Sequence, residues 1–348
     1  MTSDDTTSDN MTPMDEASES EWTPSPEPEP VEPLRPLVEE ARWSSSPAAE
    51  KLLLASQAFY ADWSPLHANA PYAVYHYTDA AALKGILETG RLWAADMLYL
   101  GGSREVNYTY GLIRDHLHRR LTPSQRSVAD FILQAESALD PRRWARSLFV
   151  ACFCEDGDAL SQWRAHAGDG YSLGLRTAAL DTVGVRVQSA GLRRVVYDGE
   201  QQSALLQRLL DRALAVVSAA TSAPEGERRA INDTVLEFLI DHMIEFVATF
   251  KPSTFREEAE WRLAVALDTG YVGEGTYQVQ FRVEAGHPVP YVELDISPRS
   301  GRSDSPVAEV VCGPIDRGEL AARSIRLLLK SRGNSSARVR SSALTLAG

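Results

Sequence analysis

The chain has 348 residues, of which 44% are hydrophobic and 24% charged, and its formal net charge is −13 at pH 7. This composition is typical of a globular protein, and the length suits one large domain or two modest ones. No apolar run approaches the ~20 residues of a membrane span, and the acidic N-terminus is unlike a signal or transit peptide. Three cysteines are too few for a disulfide framework or a four-cysteine zinc site. We therefore expect a cytoplasmic protein that has no membrane association.

The negative charge is concentrated at the N-terminus. Residues 1–40 contain twelve acidic residues, one arginine and seven prolines, so this stretch carries −11 and the rest of the chain only −2. A segment that alternates acids and prolines repels itself and cannot bury a core. We predict a disordered arm over residues 1–45 and a single domain over residues 46–348. The overall charge says nothing about what that domain binds.

The remainder of the chain carries patterns of both helices and strands. Helices are predicted at 47–60, at 80–89 between the N-cap Asp79 and the C-terminal Gly90, over 105–139 with a break near Thr122–Pro123, and at 158–167, 201–220, 229–250 and 320–330. Strands are predicted at 72–78, 91–100 with a turn, 147–155, 170–176 as a hairpin-like strand, 192–198, 260–267, 277–283, 290–296, 308–314 and 338–346. The two types neither alternate strictly nor segregate, so the predicted class is α+β, with helical insertions at about 105–140 and 201–250.

Two stretches near the ends of predicted strands contain residue types that bind ligands or catalyse reactions. His76 lies in the strand sequence YHYT, although a histidine within a strand is more often structural than functional. In CFCEDGDALSQWRAHAGDG a buried strand breaks into acidic residues and a helix that carries Ser161, Trp163 and His166. Ligands often meet backbone N–H groups at such a break. The alternative is an ordinary capped helix whose Trp163 packs into the core.

A third stretch, FKPSTFREEAEWRLAV, contains two nearby acids. Glu258 and Glu260 are two residues apart and share one face if this part is a strand. Because neighbouring carboxylates raise each other's pKa, we expect Arg262 or Lys251 to lie close enough to offset this. The alternative is an exposed strand edge with an arginine partner. The sequence contains no HExxH, GxSxG or paired CxxC motif, so we predict no metal cofactor.

Taken in order, these motifs resemble a known family. The sequences YHYT, LKGILETGRLWA, CFCEDGDALSQWRAHA, FKPSTFREEAEWRL, PYVELDI and VVCGPIDR are similar to the bacterial domain of unknown function catalogued as family 2971, over about residues 72–346. The chain departs from that family at LGGSRE, where Gly101 and Gly102 replace an Asn-Asp pair and Glu105 remains. Cys154 stands where Ser is usual, and His166 stands where Tyr is common.

The opening of that family is in turn similar to the ADP-ribosyltransferase superfamily. This resemblance implies a split mixed or antiparallel β core with inserted helices, and NAD as a substrate. The residues that it implies for NAD binding are His76, Tyr77, Thr78, Ser161 and Trp163, and those that it implies for catalysis are Glu260 and Glu258. By this resemblance Glu260 stabilises positive charge on the ribose, and Glu258 orients an acceptor or acts as its base.

Two functions are compatible with the resemblance. The first is an NAD-dependent ADP-ribosyltransferase or an NAD glycohydrolase, acting as a toxin or defence factor on an acceptor that is a protein, a nucleic acid or a small molecule. The second is a non-catalytic module of the same fold that binds a nucleotide, a nucleic acid or a protein. The replacement of the Asn-Asp pair by Gly101 and Gly102 favours the second.

Overall fold

The computed structural model describes residues 48–67, 69–121, 126–144, 146–186, 190–268, 278–284, 286–297, 305–314 and 318–344. The arm that the sequence predicts over residues 1–45 lies outside these ranges.

The described residues form helices and a mixed, mostly antiparallel sheet, which confirms the α+β class. The helices are α1 (Ala49–Trp63), α2 (Ala80–Thr89), α3 (Arg104–His118), α4 (Arg126–Ala138), α5 (Leu160–Gln162), α6 (Thr177–Arg186), α7 (Gly199–Ala219), α8 (Glu225–Thr249) and α9 (Gly318–Ser331). The strands are β1 (Ala73–Thr78), β2 (Arg91–Asp96), β3 (Arg146–Cys154), β4 (Tyr171–Arg176), β5 (Ala190–Arg194), β6 (Glu260–Asp268), β7 (Gln280–Glu284), β8 (His287–Asp295), β9 (Val307–Cys312) and β10 (Arg338–Ser341).

Strand β3 organises the sheet. One of its edges pairs with β6 along the whole strand, from Arg146 opposite Asp268 to Cys154 opposite Glu260. Its other edge is divided between two strands that diverge from each other. Strand β2 pairs with the middle of β3, at Phe149 and Val150, and continues the sheet through β8 and β7, whereas β1 pairs at the end of β3 and continues it through β4, β9 and β10. The sheet therefore splits where β1 and β2 part along β3.

The caps of α2 follow the sequence prediction. The carboxylate of Asp79 accepts a hydrogen bond from the N–H of Ala82 at 2.8 Å, which satisfies one free donor at the start of the helix. The helix ends at Gly90, whose φ of 64° lies in the left-handed region that favours glycine.

The two largest apolar clusters of the described residues lie among the helices and on the sheet. Helices α1, α3, α4, α7 and α8 pack into a helical layer, in which the rings of Phe59, Trp63, Phe246 and Phe250 contact one another. The second core lies on the sheet and is covered by α2 and α9. Among the described residues, no helix combines the length and the apolar character that crossing a membrane requires.

The structure differs from the sequence predictions at three elements. Helix α6 was not predicted, because Thr177–Arg186 contains β-branched residues and a glycine that weaken a helical pattern; burial of Leu180 and Val183 stabilises it. The predicted helix at 158–167 is a single short turn, α5, followed by the π-helical turn Trp163–Ala167. Strand β4 does not form a hairpin with β3, since it lies between β1 and β9.

Candidate functional site

A small cavity of about 100 Å³ opens where β1 meets the end of β3. Its lining comes from four segments: residues 75–77 of β1, residues 152–154 of β3, Gln162 and His166 around the π-helical turn, and Glu258 and Glu260 at the start of β6. These segments are far apart in the sequence, and the pairing of β1 and β6 with β3 brings them together.

The structure brings some of the predicted site residues into the cavity and leaves others outside it. His76, Tyr77, Glu258 and Glu260 line the cavity, whereas Thr78, Ser161 and Trp163 do not. The side chain of Ser161 is exposed and Thr78 is buried. Trp163 is fully buried, its ring lies 4.8 Å from that of Tyr77, and its Nε1 donates to Asp158 at 2.8 Å. Trp163 therefore packs against the lining residue Tyr77 and does not itself line the cavity.

His76 presents a hydrogen-bond acceptor to the cavity. Its Nδ1 lies 3.0 Å from the backbone oxygen of Cys152, and because a carbonyl oxygen can only accept, Nδ1 carries the proton. Burial lowers the pKa of His76 and outweighs the opposite effect of this hydrogen bond. The ring is therefore neutral at pH 7, and its Nε2 has a free lone pair.

Only Glu260 lies in a strand, so the condition under which the sequence predicts a shared strand face for the two glutamates is not met. Glu258 ends the 3₁₀ turn Ser253–Glu258, and Glu260 begins β6. Between them Ala259 has a φ of 40°, a left-handed conformation that is rare for a residue with a Cβ. Both carboxylates contact the Lys251 ammonium group.

Glu105, Lys251, Glu258, Glu260 and Arg262 form an ion cluster beside the cavity. The Lys251 ammonium lies 3.0 Å from Glu105 and 3.1 Å from Glu260 and also contacts Glu258. The Arg262 guanidinium donates to both oxygens of Glu260, at 2.8 and 2.9 Å, and to Glu105 at 2.5 Å. The prediction that Arg262 or Lys251 lies near the glutamates is confirmed, and both do.

This ion cluster keeps Glu260 ionised. Burial alone would raise the pKa of Glu260, but the adjacent Arg262 and Lys251 cations outweigh it and lower the pKa to about 2. A carboxylate held in this way is a fixed negative charge across the physiological pH range. It can stabilise a developing cation, but it cannot donate a proton at neutral pH.

Two thiols also line the cavity. Burial raises the pKa of Cys152 well above its usual value, and Glu260 adds to this effect. Burial likewise raises the pKa of Cys154 to about 11. Because the thiolate is the reactive form of cysteine, neither residue is an activated nucleophile at neutral pH.

Gln162 is a cavity residue that the sequence did not reveal. It lies within a stretch that reads as an ordinary helix, and nothing in its spacing distinguishes it from a surface glutamine. The sequence signal that was available is the run AHAGDG, since glycines after a short helix are compatible with an irregular turn. The turn is π-helical, with Gly168 N–H bonded to the oxygen of Trp163 at 2.6 Å, and such turns recur at functional sites.

Residues 340–343 bond to Asp158, which also bonds to the π-helical turn beside the cavity. Asp158 accepts hydrogen bonds from Ser342 Oγ at 2.5 Å and from Ala343 N–H at 2.8 Å, in addition to the one from Trp163. Arg340 of β10 lies 3.3 Å from the same carboxylate. One side chain therefore joins the π-helical turn to the last described strand.

Among the described residues, no group of three or more His, Cys, Asp or Glu side chains is arranged to hold a metal ion. Comparisons of the chain with protein-family models, with curated proteins and with solved structures find no match. The function is therefore inferred from the residues of the cavity and from the motifs that supply them.

Proposed function

We propose that the protein is an NAD-dependent ADP-ribosyltransferase or an NAD glycohydrolase, and that the cavity is its active site. The observation that carries this proposal is that His76 and Glu260 line one cavity, together with Tyr77 and Glu258. In the superfamily that the sequence resembles, the matching positions bind the ribose of NAD and stabilise the reacting sugar. The split of the sheet beside His76 further supports an ADP-ribosyltransferase-like core.

The chemistry of the reaction suits these side chains. Cleavage of the bond between nicotinamide and ribose builds positive, oxocarbenium-like charge on the sugar. Glu260 stabilises that charge as a preorganised anion, since Arg262 and Lys251 keep it ionised and fixed in place. The Nε2 atom of neutral His76 accepts a hydrogen bond from a ribose hydroxyl.

Glu258 has a different environment and a different proposed role. Its side chain is 26% exposed, compared with 7% for Glu260. A carboxylate at the mouth of the cavity can reach an incoming acceptor and take its proton. In a glycohydrolase that acceptor is water; in a transferase it is a group on a protein, a nucleic acid or a small molecule.

The size of the cavity limits how NAD binds. The cavity has a volume of about 100 Å³, which is smaller than the ~150 Å³ cavity that holds a benzene molecule, so no more than one end of NAD can insert into it. The nicotinamide end of NAD would occupy it, and the adenylate half would lie on the surface outside.

The test is release of nicotinamide from NAD that carries a label on that ring. We expect release by the full chain, and a loss of about 10²–10³-fold in Glu260→Gln, the size typical of losing one preorganised electrostatic group. The matched control is Glu237→Gln, an exposed residue of α8 that should leave the rate unchanged. Since Glu260 also belongs to the ion cluster, a thermal melt must show that the variant is folded, and His76→Gln provides a second test.

Equal release by the full chain and by folded Glu260→Gln would contradict the proposal. Absence of release under all conditions, with NAD bound, would instead support the second function, a module that binds without turnover. The specific observation that favours this alternative is that both oxygens of Glu260 already bond to Arg262, and one also to Lys251. Calorimetry with NAD separates the two, and lack of binding contradicts both.

A further inference from the structure

The side chain of Gln162 lines the cavity and has no hydrogen-bond partner among the described residues. The residue is 8% exposed. A primary amide offers two N–H donors and an acceptor oxygen. Because no described protein group pairs with this amide, a ligand in the cavity can supply both of its hydrogen bonds.

The walls around this amide suit a flat ring. Tyr75, Tyr77 and Phe153 are among the residues that line the same cavity. Aromatic neighbours favour a ring that packs against them by face or edge. The lining therefore suits a single aromatic ring bearing a substituent that pairs with an amide.

The charges around the cavity indicate a cationic ring. Glu258 and Glu260 line the cavity, whereas the cations that neutralise them, Lys251 and Arg262, are not part of its lining. His76, which also lines it, is neutral because burial lowers its pKa. A ligand that enters thus meets carboxylate oxygens, which attract a positive ring and repel an acidic substituent.

We propose that Gln162 is the specificity-determining residue that recognises the carboxamide of a cationic aromatic ring. Its oxygen accepts from the ligand NH₂ group, and its own NH₂ donates to the ligand carbonyl. This inference rests on the proposed function, in which the ring is the nicotinamide of NAD, and it extends that function by naming the group that is read and the side chain that reads it.

The proposal implies discrimination between an amide and an acid. A ring that carries a carboxylate in place of the carboxamide cannot donate to the Gln162 oxygen and places a third negative charge beside Glu258 and Glu260. Sites that bond a substrate N–H reject analogues that lack it, since the buried partner is left unpaired. We expect at least about tenfold weaker binding of the acid, which corresponds to about 1.4 kcal/mol.

The experiment titrates the full chain with 1-methylnicotinamide, nicotinamide and nicotinate, with binding measured by calorimetry or ligand-observed NMR. The expected order of affinity is 1-methylnicotinamide, then nicotinamide, then nicotinate. Gln162→Leu preserves the approximate volume but removes the amide, and should weaken 1-methylnicotinamide by about tenfold. The matched control is Gln207→Leu on the exposed face of α7, which should bind as the parent chain does.

Gln162→Glu is the second variant, because it keeps the shape of the side chain and replaces the NH₂ donor by a carboxylate oxygen. It should weaken nicotinamide as well, since the ligand carbonyl then faces an acceptor. Thermal unfolding of each variant shows that it is folded.

Three outcomes would overturn the proposal: undiminished binding by folded Gln162 variants, equal affinity for nicotinamide and nicotinate, or no binding of any of the three rings. NAD cleavage, measured on the same samples, separates this inference from the proposed function. If NAD is cleaved but nicotinamide and nicotinate bind equally well, only the role of Gln162 is contradicted and the proposed enzyme stands. Discrimination without cleavage supports that role and contradicts the enzyme.

Discussion

The ammonium group of Lys251 lies within ion-pair distance of three carboxylates, those of Glu105, Glu258 and Glu260. Its side chain is 7% exposed, so water cannot replace it. Lys251→Met leaves buried negative charges without their nearest cation. We expect the free energy of unfolding to fall by about 3 kcal/mol, the lower part of the range for breaking a buried ion pair, since Glu258 is partly solvated. Urea denaturation measures this change.

The control for that substitution is Lys84→Met. Lys84 pairs with Glu88 one helical turn away in α2, and its side chain is 61% exposed. Exposed pairs of this kind contribute little to stability, so the control should lower the free energy of unfolding far less than Lys251→Met does. Similar losses in the two variants would show that the ion cluster does not depend on Lys251.

At the scale of single residues, the sequence predicted which charged side chains interact better than it predicted where an aromatic side chain lies. The need to offset two carboxylates predicts the cations Lys251 and Arg262, because Coulomb repulsion follows from residue types alone. The same reasoning cannot place Trp163, since an aromatic residue after a strand suits a ligand and a core equally well. The carboxylate of Asp158 that accepts from Trp163 also bonds to a segment near residue 340, and no local pattern connects the two segments.

At the scale of elements, the π-helical turn at Trp163–Ala167 depends on Asp158 for its attachment to the rest of the fold. Asp158→Asn keeps the shape but removes the charge that strengthens the hydrogen bonds from Ser342 and Trp163. We expect local opening to become easier by about 1 kcal/mol or more, which is about fivefold. Hydrogen–deuterium exchange should show that increase in the amides of residues 159–167.

The control is Asp211→Asn, which breaks an exposed pair with Arg120 on the helical layer. It should leave exchange in residues 159–167 unchanged. Unaltered exchange in Asp158→Asn would mean that other contacts hold the turn.

Elements defined by local signals were predictable, and those defined by distant contacts were not. Helix α2 carries its own cap and its own terminal glycine, so its limits can be read from Asp79 and Gly90. Ala259 gives no such signal, since its left-handed backbone follows from the ion cluster and from the pairing of β6, not from its residue type. The start of β6 at Glu260 was predictable from its apolar pattern, whereas the turn that holds Glu258 outside the strand was not.

At the scale of the whole molecule, buried titratable groups make stability depend on pH in two windows. Burial lowers the pKa of His67 to about 3 and that of His242 to about 4, from 6.5. The unfolded state therefore binds protons more readily than the folded state as the pH falls below 6.5, and stability decreases. Glu260, whose pKa falls from 4.5 to about 2 despite burial because of Arg262 and Lys251, adds a second loss between those values.

The measurement is the free energy of unfolding between pH 7 and pH 3. His242→Gln should reduce the slope between pH 6.5 and 4 and leave the loss below pH 4.5 in place. Glu260→Gln should remove the loss below pH 4.5 and leave the slope between pH 6.5 and 4 in place. Each variant is thus the control for the other. A stability that is constant from pH 7 to pH 5 in the parent chain would contradict the role of the buried histidines.

The full-length pairing of β3 with β6 affects how the chain folds during its synthesis on the ribosome. When β3 leaves the ribosome, β1 and β2 are already available for its divided edge, but the partner of its full-length edge is not. Helices α7 and α8 must be synthesised before Asp268 closes that pairing. Until then the apolar residues Leu148, Phe149 and Val150 lie on a strand with an open edge, which is the kind of surface that joins other chains. The nascent chain is therefore most prone to aggregation in the interval between the synthesis of β3 and that of β6.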